Sequence, residues 1–119
     1  MAYVDGYLLP VPTKNLAAYR KMAANAGKIW REHGALDYKE CAGDELDTKF
    51  GIPFGKQMKL KRGETVVFAW IVFKSKADRN RVNAKVMKDP RINEGVDPKK
   101  MPFDMKRMVY GGFTVLVDA

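Results

Sequence analysis

The residues Thr65–Lys74 constrain the fold most, because they form a predicted β-strand that is apolar on both faces. Aliphatic, β-branched and aromatic residues fill the stretch. Alternation along a strand gives one face Val67, Ala69, Ile71 and Phe73, and the other face Val66, Phe68, Trp70 and Val72. An antiparallel sheet with one solvated face instead alternates apolar with polar residues. This sheet therefore needs a cover on each of its faces.

The remaining elements follow from local signals along the chain. The other predicted strands are Tyr3–Val11, which Pro10 and Pro12 stop, Ala35–Ala42, and Met105–Val117, which bends at Gly111 and Gly112. The first predicted helix is Asn15–His33, with Thr13 or Asn15 as its N-cap and Gly34 as its terminator. The second predicted helix begins with a capping box at Ser75 and Asp78 and ends near Lys88. The segment Gly43–Gly63 has no clean period and is expected to contain a short helix or to act as a lid.

This order of elements, β-α-β-β-α-β, predicts an α+β ferredoxin-like fold. In that fold a four-stranded antiparallel sheet carries two helices on one face. The inward stripe of the first helix is expected to be Leu16, Tyr19, Ala23, Ala26, Trp30 and His33, which are spaced by three and four residues. The small alanines in this stripe are expected to let the helix approach the sheet closely.

Length and composition bound the class of protein. The 119 residues predict a single domain over 1–119. The longest apolar run is too short to cross a bilayer, the N-terminal residues do not resemble a secretory signal, and one cysteine excludes an internal disulfide. A cytoplasmic protein without membrane partners is expected. The net charge of +8 is interpreted as a solvated helix surface.

The second apolar face of the central strand predicts a homodimer. Two helices on one side of the sheet leave the face of Val66, Phe68, Trp70 and Val72 uncovered. A large exposed apolar patch requires a partner, and a second copy of the chain closes a two-fold barrel or sandwich. These four residues are the expected interface of a dimeric α/β barrel.

Four stretches, YVDGYLLPVP, HGALDYKEC, ETVVFAWIVFKSKADRNRVNAKVMKDPR and MPFDMKRMVYGGF, resemble the YbaA-like family of small bacterial proteins. That family is placed in the dimeric α/β-barrel superfamily. The resemblance covers nearly the whole chain. It implies a ferredoxin-like fold and a homodimer, and it supplies no activity.

Candidate site residues cluster where the first helix ends and the second strand begins. His33, Trp30, Tyr38, Glu40 and Cys41 lie there in sequence, and a small molecule is the expected ligand. Trp30, Glu40 and Cys41 are the ligand-binding candidates of this cluster. The structural alternatives are a helix-terminal His33 that interacts with the helix dipole and a buried, inert Cys41.

An enzyme is a second interpretation, and the sequence leaves it open. A cofactor-independent oxygenase or isomerase would use His33, Tyr38 and Arg107. Asp5, the last ligand-binding candidate, and Arg107 lie on strands predicted to be neighbours, where a structural salt bridge is the default. The usual nucleotide, hydrolase and zinc motifs are missing, and no cofactor or metal is expected.

RNA binding is the third interpretation. The run from Phe68 to Phe73 approaches the aromatic half of the RNA-recognition motif, in which Phe68 and Trp70 would stack on bases. Val66 and Val67 replace the basic residue and glycine with which that motif starts. The aliphatic neighbours of the two aromatic residues favour a dry dimer interface, so no specific nucleic acid is expected.

Overall fold

The computed structural model describes all residues from 1 to 119 and has the predicted ferredoxin-like order of elements. The strands and helices are β1 (Tyr3–Pro12), α1 (Leu16–His33), β2 (Asp37–Ala42), α2 (Phe54–Gln57), β3 (Glu64–Phe73), α3 (Lys76–Lys88) and β4 (Val109–Thr114). Short 3-10 turns lie at Thr13–Asn15, Pro90–Asn93 and Met105–Arg107. No helix has the length and apolar character needed to cross a membrane.

The four strands form one antiparallel sheet in the order β2-β3-β1-β4. Ile71 of β3 is the register partner of Asp5 on β1 and of Tyr38 on β2. Because directly paired residues point to the same face, Asp5, Tyr38 and Ile71 share the face that α1 and α3 cover. Phe68 and its partners Leu8 and Cys41 share the opposite face, which is called the open face below.

The core lies between the sheet and the two long helices. The predicted inner residues of β3, Val67, Ala69, Ile71 and Phe73, are all buried. Of the predicted stripe of α1, Tyr19 and Ala23 are buried, whereas Leu16, Ala26, Trp30 and His33 are only partly buried. Ile29 is buried although it lies off that stripe, because it packs in one cluster with Val82 and Val86 of α3. The stripe was predicted against a sheet alone and missed the helix–helix contact.

The predicted caps are mixed in outcome. Ser75 Oγ accepts a hydrogen bond from the backbone N–H of Asp78 at 3.0 Å, as the capping box predicted. Gly34 follows α1 with a φ of 122°, a conformation that favours glycine. The Asn15 side chain does not cap α1, since its Nδ2 donates to the carbonyl of Pro102 at 3.1 Å.

The first strand passes through Pro10 and ends at Pro12, one residue beyond the predicted Val11. Pro10 is paired with Val66 of β3. The neighbour on the other side, β4, pairs with β1 only as far as Leu8. Beyond Leu8, β3 is the only strand that pairs with β1. A proline there lacks its N–H but does not deprive β4 of a hydrogen bond.

The last strand is shorter than the predicted Met105–Val117. Asp104 accepts a hydrogen bond from the backbone N–H of Lys106 at 3.0 Å and starts a 3-10 turn over Met105–Arg107, so β4 begins only at Val109. At the other end Thr114 is paired with Tyr3, the first residue of β1. The partner strand thus runs out before β4 can extend further. Arg107 consequently lies outside the sheet.

The segment between β2 and β3 contains the expected short helix, α2. Phe54 at its start contacts the ring of Phe68 edge-on, with centroids 6.4 Å apart, so this segment reaches the open face. Val66, predicted as part of a dimer interface, is only 2% exposed and is thus already buried within the single chain. Phe68 remains 45% exposed. Val109 and Phe113 of β4, which point to the same face, are largely exposed as well.

Candidate ligand-binding cleft between α1 and β2

A cleft of about 490 Å³ opens between α1 and the edge strand β2. Its walls are mostly apolar, formed by Leu16, Ala23, Ala24 and Gly27 of α1 and by Val67 of β3. Volumes of about 300–1,000 Å³ with a few convergent polar groups are typical of small-molecule sites. The cleft therefore has the size and lining of a ligand pocket.

The polar group of the cleft is a carboxylate held by two phenols. Glu40 is paired in register with Ala69, and so its side chain points to the helix face. Tyr19 Oη donates a hydrogen bond to Glu40 Oε1, and Tyr38 Oη donates one to Glu40 Oε2; both O–O distances are 2.5 Å. A carboxylate has about four acceptor positions, so each oxygen keeps capacity for one more donor.

The two phenols remain protonated over the ordinary pH range. Burial raises the pKa of Tyr19, and the hydrogen bond to Glu40 raises it further. Burial also raises the pKa of Tyr38, followed by the negative charge of Glu40. Both hydroxyls are therefore hydrogen-bond donors and not phenolates.

Gly27 sets the distance between α1 and β2. A Cβ on this residue would lie 2.7 Å from Tyr38 Cδ1, closer than real contacts allow. The ring of Tyr38 thus lies directly on the helix backbone, and only a glycine leaves room for it. The sequence predicts this close approach at the alanines of α1, whereas in the structure it occurs at Gly27.

Cations form the outer rim of the cleft. Arg20, Lys28 and Arg31 line it, and with Ala24 and Gly27 they follow one stripe of α1. Arg31 donates to the backbone carbonyl of Leu36. Arg20 and Lys28 form no salt bridge within the chain. The helical spacing of these three residues is a signal in the sequence, but only the apolar stripe of α1 was predicted from it.

Comparison with known proteins relates this geometry to a family. Residues 2–105 match the family described as a protein of unknown function, DUF1428. The chain belongs to the DUF1428 family. It is 42% identical over 118 residues to the uncharacterized protein YbaA of Escherichia coli strain K12, with 99% of each chain covered, and equally to YbaA of Shigella flexneri. The YbaA-like relationship predicted from the sequence is confirmed.

A solved structure supports the fold of this DUF1428 chain. The crystal structure of a NIPSNAP family protein with unknown function from Agrobacterium tumefaciens strain C58 superposes with a TM-score of 0.56. The alignment covers 94% of this chain and 86% of that chain at 15% identity. At this identity the likeness concerns the fold alone.

His33 lies outside the cleft of the DUF1428 chain. Its Nε2 is 2.8 Å from Asp89 Oδ2 at the end of α3. Asp89 also accepts hydrogen bonds from Arg91, and these bonds, followed by the one to His33, hold the pKa of Asp89 well below its usual range. The arrangement ties the ends of the two helices together. This fits the structural alternative, with Asp89 as the partner instead of the helix dipole.

Trp30 and Asp5 belong to a second polar network, between the sheet and α3. Trp30 Nε1 donates to Asn83 Oδ1 at 2.9 Å, and Asn83 Nδ2 donates to Asp5 Oδ2 at 3.3 Å. Asp5 is fully buried, and Arg79 Nε donates to its Oδ1 at 3.0 Å. Trp30 nevertheless lies beside one residue of the cleft, because its ring centroid is 6.1 Å from that of Tyr38.

Asp5 and Arg107 do not form the pair that neighbouring strands predicted. Arg107 lies on the 3-10 turn before β4, and its two terminal nitrogens donate to Glu64 at 2.7 and 2.9 Å. Of the three catalytic candidates, therefore, only Tyr38 lines the cleft. His33 and Arg107 do not converge with it.

Cys41 was expected to be buried and is exposed. The register pairs it with Phe68, which places its side chain on the open face, while its backbone lies along the cleft. Burial was expected because cysteine is among the most buried residue types. The edge position of β2 exposes it here.

Proposed function

We propose that this DUF1428 protein is a homodimer and that each subunit binds a small molecule in the cleft between α1 and β2. The observation that carries the ligand site is the Tyr19–Glu40–Tyr38 arrangement in an otherwise apolar cleft. A half-buried carboxylate costs desolvation energy unless donors compensate it. Two phenols supply part of that compensation, and the remaining acceptor capacity of Glu40, which lines the cleft, can serve a ligand.

A thermal-shift screen with small organic compounds tests the ligand site. A compound that binds only the folded chain raises the melting temperature. We expect such compounds to act on the parent and on Tyr110→Phe, a control because Tyr110 stacks on Tyr7 at 4.9 Å and does not line the cleft. The same compounds should bind about tenfold or more weakly to Glu40→Gln and Tyr38→Phe. Equal shifts in all four proteins would place the ligand elsewhere and contradict the proposal.

The open face supports the homodimer. A groove of about 380 Å³ crosses it, lined by Val4, Leu8, Trp70 and Phe113 and by the bare backbone of Gly6. Gly6 has no Cβ, and a Cβ there would lie 3.2 Å from Phe113 Cε1, so the ring occupies that space. The centre of a protein interface is typically apolar and depleted of charged residues, as this groove is.

Charge favours a second copy over a nucleic acid on this face. Among the strand residues that point to the open face, Lys39 is the only cation, and Asp37 and Glu64 are the anions. Lys39 pairs with Asp37 at 2.7 Å. Binding of a polyanion needs unpaired cations that neutralise phosphates. A face whose only cation is already paired suits an equally apolar copy of itself.

Light scattering coupled to size-exclusion chromatography tests the dimer with a matched pair of variants. The interface is expected to bury about 1,600 Å² in total. Phe68→Asp strands a charge in it and should give monomers or insoluble protein. Met87→Asp is the control, because Met87 is also an exposed large apolar residue, 62% exposed, but lies on α3 at the other side of the sheet. A monomeric parent at micromolar concentration would overturn the dimer.

A further inference from the structure

We propose that the ligand of the α1–β2 cleft is an organic anion, a small carboxylic acid with an apolar body and a hydroxyl or amine donor. This inference rests on the proposed ligand site and adds the chemical class of the ligand. Three parts of the cleft carry it: cations at the rim, a carboxylate with free acceptor positions at the floor, and apolar walls between them.

The rim selects for negative charge. Arg20, Lys28 and Arg31 line the cleft, and the only carboxylate that lines it is Glu40. Arg20 and Lys28 have no carboxylate partner in the chain, so both are available to an incoming anion. Cations at the mouth of a low-dielectric cleft concentrate anions more strongly than the same charges on a flat surface.

The floor selects for a donor. Glu40 already accepts hydrogen bonds from Tyr19 and Tyr38, both with O–O distances of 2.5 Å. Its remaining acceptor positions can be filled only by a group that carries a proton, such as a hydroxyl or an amine. A ligand with a second anionic group at this end would instead face the charge of Glu40. The carboxylate of the ligand therefore belongs at the rim and its donor at the floor.

The walls select for an apolar body between these two groups. Ala23 and Ala24 present only methyl groups to the cleft, and the ring of Tyr38 covers the backbone at Gly27, so this wall is apolar. The volume of about 490 Å³ accommodates one aromatic ring or a short aliphatic chain with its end groups.

Isothermal titration calorimetry with matched acids and esters tests the class of ligand. The probes are 4-hydroxybenzoate and 6-hydroxyhexanoate, the methyl ester of each, and benzoate, which lacks the donor. At least one hydroxy acid is expected to bind about tenfold or more tightly than its own ester, as a charge-assisted hydrogen bond predicts. Benzoate is expected to bind more weakly than 4-hydroxybenzoate.

Variants separate the rim from the floor. Changing Arg20→Gln together with Lys28→Gln should lower acid binding to the level of the ester and leave the ester unchanged. Lys21→Gln removes a cation of the same helix that does not line the cleft, and it should leave both affinities unchanged. Glu40→Gln should abolish the preference for 4-hydroxybenzoate over benzoate.

Two results overturn the inference in distinguishable ways. If an acid and its ester bind the parent equally, or if neither acid binds while neutral compounds of the thermal-shift screen do, the class of ligand is wrong and the ligand site stands. If no compound of any charge binds the cleft, the proposed site fails as well. The comparison of acid with ester on the parent holds even if a variant does not fold.

Discussion

At the scale of single residues, Gly27 has the largest effect on the shape of the cleft. The space above its Cα is occupied by the ring of Tyr38, which in turn donates to Glu40. One absent methyl group thus determines where the phenol lies and how the carboxylate is held. The spacing between α1 and β2 follows from this contact.

Gly27→Ala is expected to move Tyr38 and to lower the free energy of unfolding. Overpacking costs about 1–3 kcal/mol, against a gain of up to about 1 kcal/mol from replacing glycine by alanine inside a helix. The net loss should be about 1 kcal/mol in urea melts, with a changed near-ultraviolet circular dichroism signal of the tyrosines.

Gly55→Ala is the matched control for this prediction. Gly55 also lies in a helix, α2, and a Cβ there would lie 3.5 Å from Leu60 Cδ1, an ordinary contact. This variant should be as stable as the parent or more stable by up to about 1 kcal/mol. If Gly27→Ala were equally stabilising, the proposed contact with Tyr38 would not hold α1 in place.

Arg107 has a structural effect that pH measurements can detect. Its hydrogen bonds to Glu64 hold the pKa of that carboxyl below the ordinary 4.5. A carboxyl with a lowered pKa in the folded state stabilises the fold above 4.5, and this contribution is lost as the pH falls through the folded-state value. The unfolding free energy should therefore decrease on acidification.

Glu64→Gln should reduce this decrease, because the residue that titrates is removed. The measurement is urea denaturation of parent and variant from neutral to acid pH. Glu45→Gln, which removes an exposed carboxyl without a salt bridge, should keep the slope of the parent. Parallel pH profiles for parent and Glu64→Gln would show that the ion pair does not contribute.

At the scale of elements, strong local signals predicted the structure well. β3 and α3 occur almost where the sequence placed them, because β-branched alternation and the Ser75 capping box act within a few residues. The predicted β4 was too long at both ends, because its limits depend on a strand far away in sequence. Pro10 is tolerated because β4 begins opposite Leu8 and so does not pair with Pro10, and β4 ends at Thr114 because β1 begins at Tyr3.

The cleft was predicted in part for the same reason. Tyr38 and Glu40 were identified because they follow the first helix closely in sequence. Tyr19 was assigned to the core alone, since its hydrogen bond to Glu40 crosses from helix to strand. His33 was the most reactive candidate by composition, but its partner Asp89 lies at the end of another helix and could not be seen from sequence.

At the scale of the whole molecule, the strands of the open face contribute little to the net charge of +8. Lys85 and Lys88 of α3 are exposed on the helix layer, whereas the single lysine of the open face, Lys39, is paired. The lysines of α3 and the aromatic residues Phe68 and Trp70 thus lie on opposite sides of the sheet.

Binding to RNA is consequently expected to be weak and electrostatic. In fluorescence anisotropy the affinity should fall by about a thousandfold between about 50 and 200 mM salt. Trp70→Ala should leave it unchanged, and Lys85→Gln with Lys88→Gln should weaken it for every RNA sequence tested. Sequence-dependent binding that survives at high salt and disappears in Trp70→Ala would favour the RNA interpretation of the open face.

The order of the strands also has a consequence for synthesis of the chain. β1 is made first and lies inside the sheet, between β3 and β4, and Tyr3 pairs with Thr114. Once β3 has emerged from the ribosome, β1 can pair with it but keeps an unpaired flank where β4 will add. Contacts between residues this distant slow folding. The nascent chain therefore carries an open strand edge until its last strand has emerged, and during that interval it depends most on protection from aggregation.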